Sequence, residues 1–165
     1  MIELSWSDAL ALDLPAMDDT HREFVDLLAA VADAPDDALA DAWSDLVDHT
    51  TDHFDREDGW MRQTGFASVN CHATQHAVVL SVLRDGLAAG RAGRHEVIRQ
   101  LAHELALWFP QHAQTMDAAL ALHLRSAGFD VETGRLPAGS ALATAAPITG
   151  CGSAACSTAA SVPAT

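Results

Sequence analysis

The chain has 165 residues, with 23 aspartates and glutamates, nine arginines, no lysine and nine histidines, and its formal net charge is −14. The absence of lysine excludes lysine Schiff-base chemistry and nucleotide binding through a P-loop lysine. The charge disfavours nucleic acids and anionic membrane surfaces as partners, since both are negatively charged, whereas the many histidines point to a bound metal.

The length fits one domain of ordinary size. The N-terminal residues contain early acids and no basic segment before an apolar run, so they do not resemble a secretory signal. We therefore predict a cytoplasmic protein without a membrane span. Residues 1–15 form an arm, residues 16–127 a helical domain, and residues 128–165 a segment predicted to be disordered because it is rich in Ala, Ser, Thr and Gly.

Apolar residues at three- and four-residue spacing predict four helices. The first spans about residues 17–32 and places His21, three residues after Asp18, on its apolar face. A buried imidazole needs a partner, because burying a polar group without one is unfavourable. We expect Trp6 and Leu14 of the preceding arm to pack across the end of the bundle.

The second helix is predicted to follow Pro35. Asp36 or Asp37 is expected to be its N-cap, because short acceptor side chains satisfy the free amides of a first turn. The helix continues to about Met61, and Gly65 is expected to be the left-handed residue that ends it.

The inward face of this second helix carries His53 and Glu57, which lie one turn apart. Asp58 is an alternative carboxylate, but it points about 100° away, so Glu57 is the better ligand. His49 lies one turn before His53. We interpret it as core filler or as a group beside the site, not as a ligand.

The third helix, over about residues 69–89, carries His72 and His76 at a spacing that suits chelation of one metal ion. The fourth, over about residues 95–126, carries His112 and Asp117. Pro110 lies just before them.

The spacing of His112 and Asp117 does not fit a regular helix. Residues five apart diverge by about 140°, so both can face one site only if the helix widens, as in a π-bulge. Pro110 removes a backbone donor and loosens that turn. We therefore predict non-ideal helix geometry between Leu107 and Asp117.

The inward faces together supply five imidazoles and two carboxylates. Seven ligands are too many for one tetrahedral zinc ion, and mixed nitrogen and oxygen donors suit iron or manganese. With both carboxylates bridging, the set fits two ions, one with three histidines and one with two, and the latter keeps an open position for a small ligand. The remaining histidines, His95, His103 and His123, are predicted to lie at the surface or at helix ends.

Short connections between four such helices predict an all-α, up-down-up-down antiparallel four-helix bundle. The order and spacing of the metal-binding residues resemble the hemerythrin family in its bacterial single-domain form. The resemblance covers about residues 6–124 and rests on the string His21, His53-x-x-x-Glu57, His72-x-x-x-His76 and His112-x-x-x-x-Asp117, framed by Trp6, Asp18, Phe54, Met61 and Trp108.

This resemblance implies two iron ions joined by an oxo or hydroxo bridge and by the carboxylates of Glu57 and Asp117. It assigns one iron to His72, His76 and His112, and the iron with the open position to His21 and His53. It further implies that O2 binds reversibly at the open iron, in an apolar pocket lined by Phe54, Trp108 and Phe109.

The resemblance favours a non-enzymatic protein that binds dioxygen for carriage, storage or delivery. One alternative is O2 or redox sensing, with a protein partner on the acidic front half, although such a charge run is also typical of solvated helix faces. Another is a diiron enzyme acting on peroxide or nitric oxide, which needs a proton donor and an electron partner at the site. We expect a monomer. A ferritin-like oxidase is disfavoured, because its repeated Glu-x-x-His pairs are absent.

Overall fold

A computed structural model describes residues 4–66 and 71–138, and over these residues the protein is an all-α helical bundle. The fold class predicted from the sequence is confirmed. The bundle is built from α1 (Pro15–Asp33), α2 (Leu39–Thr64), α3 (Cys71–Arg91) and α4 (His95–His112), the last of which continues through a π-helical turn (Ala113–Asp117) into α5 (Ala118–Ala127).

The helices pack in the order in which they follow one another in the chain, and α1 also packs against α4 to close the bundle. Residues 34–38 join α1 to α2, and residues 92–94 join α3 to α4. Connections this short leave no room for a crossover, so the helices they join run antiparallel. None of the helices in the described segments is both long enough and apolar enough to cross a membrane.

The predicted side-chain cap of α2 is wrong. The helix begins at Leu39, and no side chain bonds to the amides of its first turn. The Asp36 carboxylate instead accepts a hydrogen bond from Arg99 Nη2 on α4, at 2.7 Å. That guanidinium lowers the pKa of Asp36. The side chain that the sequence near α2 predicts as a cap therefore forms an ion pair with a distant helix instead.

The N-terminal arm is attached to α1 through Asp18. Its buried carboxylate accepts hydrogen bonds from the backbone amides of Leu12 at 2.7 Å and Leu14 at 3.3 Å. Leu14 itself is buried, and the Trp6 ring lies beneath the Arg22 guanidinium, 4.6 Å from its centre. These contacts orient the first turn of the helix that carries His21.

Two apolar clusters fill the bundle. The first includes Leu28, Trp43 and Ile98, and the second includes Met17 and Leu120. On α1, on α2 and on the continuation from α4 into α5, the buried polar residues His21, Glu57 and Asp117 lie between positions that belong to the two clusters. The fold therefore holds a polar layer across its middle, enclosed at both ends by hydrophobic side chains.

The chain after α5 continues the second cluster. Phe129 is buried there, and the backbones of Asp130 and Arg135 pair to close a turn. The Asp130 carboxylate accepts bonds from the amides of Glu132 and Thr133. Residues 139–165, which make up most of the segment predicted to be disordered, lie outside the described residues.

The C-terminus of α2 has the predicted left-handed glycine. Gly65 has φ +64°, and its amide donates to the Met61 carbonyl. A Cβ at Gly65 would meet no atom within 4 Å, so Gly65→Ala should cost only backbone strain and lower the free energy of unfolding by about 1 kcal/mol. Urea denaturation measures this change.

Gly59→Ala is the matched control, because Gly59 lies inside the same helix and an added Cβ would make only ordinary contacts, at 3.9 Å. We expect it to raise the free energy of unfolding by about 0.5–1 kcal/mol. Equal effects of the two substitutions would contradict the left-handed cap.

Candidate metal centre

The structure brings all seven predicted ligands into the polar layer, and each of them is buried. Their donor atoms form two groups, in each of which the atoms lie within 4.8 Å of one another. The larger group consists of Glu57, His72, His76, His112 and Asp117, and the smaller of His21, His53 and Glu57. Glu57 belongs to both.

In the larger group, imidazole nitrogens surround one oxygen of each carboxylate. His72 Nε2 and His112 Nε2 lie 2.9 and 3.1 Å from Asp117 Oδ1. His72 Nε2 and His76 Nε2 both lie 3.5 Å from Glu57 Oε2. The Nε2 atoms of three histidines thus converge between Oδ1 and Oε2.

In the smaller group, the same two carboxylates present their other oxygens. His53 Nε2 is 3.1 Å from Glu57 Oε1. His21 Nε2 is 3.2 Å from Asp117 Oδ2 and 3.9 Å from Glu57 Oε1. Each carboxylate therefore faces two histidines of the larger group with one oxygen and at least one histidine of the smaller group with the other, as ligands that bridge two ions would.

The donor atoms lack enough protein partners. His21 Nε2, His72 Nε2, Glu57 Oε2 and both carboxylate oxygens of Asp117 are buried without a hydrogen bond within the described part of the chain. Each such atom costs about 1–3 kcal/mol, and native proteins rarely leave several together. Two cations coordinated by nitrogen and oxygen would satisfy them, and this mixed donor set suits iron.

The two carboxylates are ionised in this layer. Burial and the nearby Asp117 charge raise the pKa of Glu57, but contacts with His53 and His72 outweigh them and bring that pKa to about 2. Burial likewise opposes ionisation of Asp117, yet its histidine neighbours hold its pKa well below the ordinary value. Burial opposes protonation of His72, but the same contacts raise its pKa to about 9, so the layer holds two buried carboxylates whose charge is balanced by the surrounding imidazoles or by cations that they coordinate.

A π-helical turn brings His112 and Asp117 to the same side. The Ala118 amide donates to the Ala113 carbonyl, five residues earlier, and Pro110 lies inside α4 just upstream. In this wider turn, residues five apart lie on the same face, whereas in a regular α-helix they would point in different directions. The predicted distortion between Leu107 and Asp117 is confirmed.

Two polar residues outside the donor groups accept hydrogen bonds from predicted ligand histidines. The sequence analysis did not predict either contact. The Asp58 carboxylate accepts a hydrogen bond from His76 Nδ1 at 2.9 Å, and the Gln75 side-chain oxygen accepts one from His112 Nδ1 at 3.1 Å. The sequence gives only a weak indication of these contacts. Asp58 and Gln75 each follow or precede a ligand in the chain, but each side chain contacts a histidine on the next helix.

Two of the three predicted pocket residues contact the smaller group. The Phe54 ring lies 5.2 Å from the His53 ring, and the Phe109 ring lies edge-on to His21, also at 5.2 Å between centroids. Both phenylalanines are buried. The Phe54 ring also stacks on His76 of the larger group, at 3.8 Å between centroids, so Phe109 lies beside the smaller group and Phe54 lies between the two groups.

Trp108 lies elsewhere. Its ring stacks on His112 of the larger group, with 4.4 Å between centroids, and it meets Phe54 at an angle, at 6.4 Å. On its other side Trp108 lines an apolar surface groove between α3 and α4 together with Val79, Leu101 and Leu105.

The remaining histidines lie outside both groups of donors. His49 Nε2 donates to the Thr20 carbonyl at 3.2 Å, and its ring centre is 6.2 Å from that of His53. His103 is exposed, and His123 Nε2 donates to the Thr64 carbonyl at 3.3 Å. His95 lies 3.6 Å from Asp36, at the start of α4.

The chain is similar to known proteins over most of its length. A family model described as the hemerythrin HHE cation binding domain matches residues 12–123. A bacteriohemerythrin of Ralstonia nicotianae is 35% identical over 127 residues, which cover 77% of this chain and 93% of the relative. Bacteriohemerythrins of Pseudomonas paraeruginosa and Stenotrophomonas maltophilia are 26% and 25% identical, over 72% and 73% of this chain and 79% and 81% of the relatives. No solved structure matches significantly.

Proposed function

Because the chain belongs to the hemerythrin family, we propose that it binds dioxygen reversibly at a non-haem dinuclear iron centre, for carriage, storage or delivery in the cell. One observation carries the proposal: Glu57 and Asp117 each direct one carboxylate oxygen to the larger donor group and the other to the smaller. Two bridged ions need this arrangement, and a single ion does not.

These distances support the proposed ligand assignment. His72, His76 and His112 would hold one ion, and His21 and His53 the other, which then has fewer protein ligands and room for a small molecule. Iron bound there would supply the electrons that reversible dioxygen binding requires. The protein supplies the geometry, because the four bundle helices bring all seven donors to one buried layer.

The surroundings support binding more than reduction of the bound molecule. Phe109 lies against His21 and Phe54 lies between His53 and His76, so two apolar rings border the two-histidine group and would exclude water from it. His49 is the nearest further imidazole, but its Nε2–H is already donated to the Thr20 carbonyl. Burial lowers the pKa of His49, which disfavours its protonated form. An enzyme acting on peroxide or nitric oxide would need a proton donor at this position.

Spectroscopy of the iron-loaded, anaerobically reduced protein tests the proposal. Stopped-flow mixing with air should produce a visible charge-transfer band, and removing oxygen under argon should bleach it. Rapid irreversible oxidation with turnover would favour an enzyme instead. A wild-type chain that binds fewer than two irons would overturn the dinuclear assignment.

Removing one histidine of the larger group should remove one ion. His72→Ala is expected to bring the iron content from two ions per chain to about one, because His72 Nε2 lies beside both carboxylates of that group. Metal analysis and the visible absorption measure the change. His103→Ala is the control, since His103 is exposed, and it should leave both unchanged. Full occupancy in His72→Ala would refute its role as a ligand.

A further inference from the structure

The five histidines of the centre differ in the contacts of their outward nitrogens. His76 Nδ1 donates to the Asp58 carboxylate at 2.9 Å, and His112 Nδ1 donates to the Gln75 side-chain oxygen at 3.1 Å. The other three Nδ1 atoms are buried without a hydrogen-bond partner in the described segments: those of His21, His53 and His72. Both supported histidines belong to the larger group.

An acceptor on Nδ1 has two effects on an imidazole ligand. It holds the proton on Nδ1, so that the lone pair of Nε2 is free for a metal, and it makes the ring a stronger electron donor. A carboxylate does this more strongly than an amide, because a hydrogen bond to a charged acceptor is the stronger one. His76 therefore has the strongest support among these histidines.

The position of Asp58 suits this role. It follows Glu57 on α2 and points about 100° away from it, toward α3 and His76. Its side chain is only 25% exposed, so water screens the contact incompletely. On the other side the Phe54 ring lies flat against His76, with 3.8 Å between centroids and 7° between planes. The His76 ring is thus held at one face by Phe54 and at one edge by Asp58.

We propose that Asp58 is a positioning residue of the metal centre, which orients His76 and strengthens it as a donor, so that the ion held by the larger group is the harder of the two to reduce. Gln75 is the weaker, uncharged counterpart on His112. The inference rests on the proposed function, because it concerns the same two ions. It adds that the hydrogen bonds to the histidine Nδ1 atoms give the two ions different reduction potentials.

Asp58→Asn tests the inference, because asparagine keeps the size and the acceptor oxygen of aspartate but removes its charge. The readouts are ferrous-iron and zinc titrations and the reduction potentials of the loaded protein. We expect a weaker metal affinity at one of the two sites, within the 10–100-fold range typical of such outer partners. We also expect one potential to rise, by about 59 mV for each tenfold loss of preference for ferric over ferrous ion.

Asp55→Asn is the matched control, because it removes the same charge from an exposed position on the same helix. Gln75→Glu is a second and opposite test, since a carboxylate on His112 should lower one potential. The Gln75→Glu test does not depend on whether Asp58→Asn folds.

The outcomes separate the two proposals. A wild-type chain that fails to bind two irons overturns the proposed function. A wild-type chain that binds two, with Asp58→Asn matching Asp55→Asn in affinity and potential, overturns the role of Asp58, whereas a rise of one potential in Asp58→Asn supports it. If Asp58→Asn does not fold, a fall of one potential in Gln75→Glu supports the inference and an unchanged potential overturns it.

Discussion

The Glu57→Gln variant is expected to lose both iron ions, with the metal content falling from two per chain to fewer than one. Glu57 is the one residue shared by the two donor groups. Its Oε1 lies 3.1 Å from His53 Nε2, and its Oε2 lies 3.5 Å from the Nε2 atoms of His72 and His76. Glutamine keeps the volume but replaces one of these oxygens with an NH2 group, which offers no lone pair to a metal, and removes the negative charge.

Metal analysis after anaerobic loading measures this loss, and circular dichroism verifies that the helices are intact. Glu104→Gln is the matched control, because Glu104 is exposed and belongs to neither donor group. It should retain both ions. If Glu57→Gln also retains two, the carboxylate does not bridge, and the assignment of the two groups to two ions is wrong.

The Trp43→Ala variant is expected to have the largest effect on folding, lowering the free energy of unfolding by about 3–5 kcal/mol. Trp43 is completely buried in the first apolar cluster, and its indole N–H donates to the Leu83 carbonyl on α3 at 2.9 Å. Its ring lies so close to Gly86 that a Cβ there would be 3.2 Å from the indole nitrogen. Removing the ring leaves a cavity between α2 and α3 that the backbone cannot close.

Urea denaturation of the metal-free chains measures this effect without the contribution of bound metal. Trp43→Phe should have a free energy of unfolding between those of wild type and Trp43→Ala, because phenylalanine restores part of the volume but not the hydrogen bond. Leu107→Ala, at a position that is 67% exposed, should change the free energy by no more than about 0.5 kcal/mol. A loss below 1 kcal/mol in Trp43→Ala would show that this contact does not hold α2 to α3.

The sequence predicted the end of a helix correctly where only neighbouring residues determine it. Gly65 ends α2 in the left-handed conformation, because a residue without a Cβ adopts it at little cost. The predicted side-chain cap at Asp36 or Asp37 is wrong, because neither carboxylate bonds to the first turn of α2. The carboxylate of Asp36 instead binds Arg99, far along the chain. Nothing in the residues near Asp36 indicates that competition.

The site shows the same division. Imidazoles and carboxylates on apolar helix faces predicted a metal centre, and the misfit of His112 and Asp117 predicted the π-helical turn that the structure contains. Asp58 and Gln75 were missed as partners of His76 and His112. Helical spacing tells which residues share a face of one helix, but not what a side chain meets on the next.

The sequence by itself determined which side chains face the core, because the α-helix repeats every 3.6 residues. It also determined that the polar ones among these side chains bind a partner, because burying a polar group without one is unfavourable. The tertiary structure alone decided which oxygen of Glu57 or Asp117 faces which histidines, and which imidazoles have an outer acceptor. Those choices depend on the relative height and rotation of packed helices, and side-chain packing between residues distant in the chain sets both.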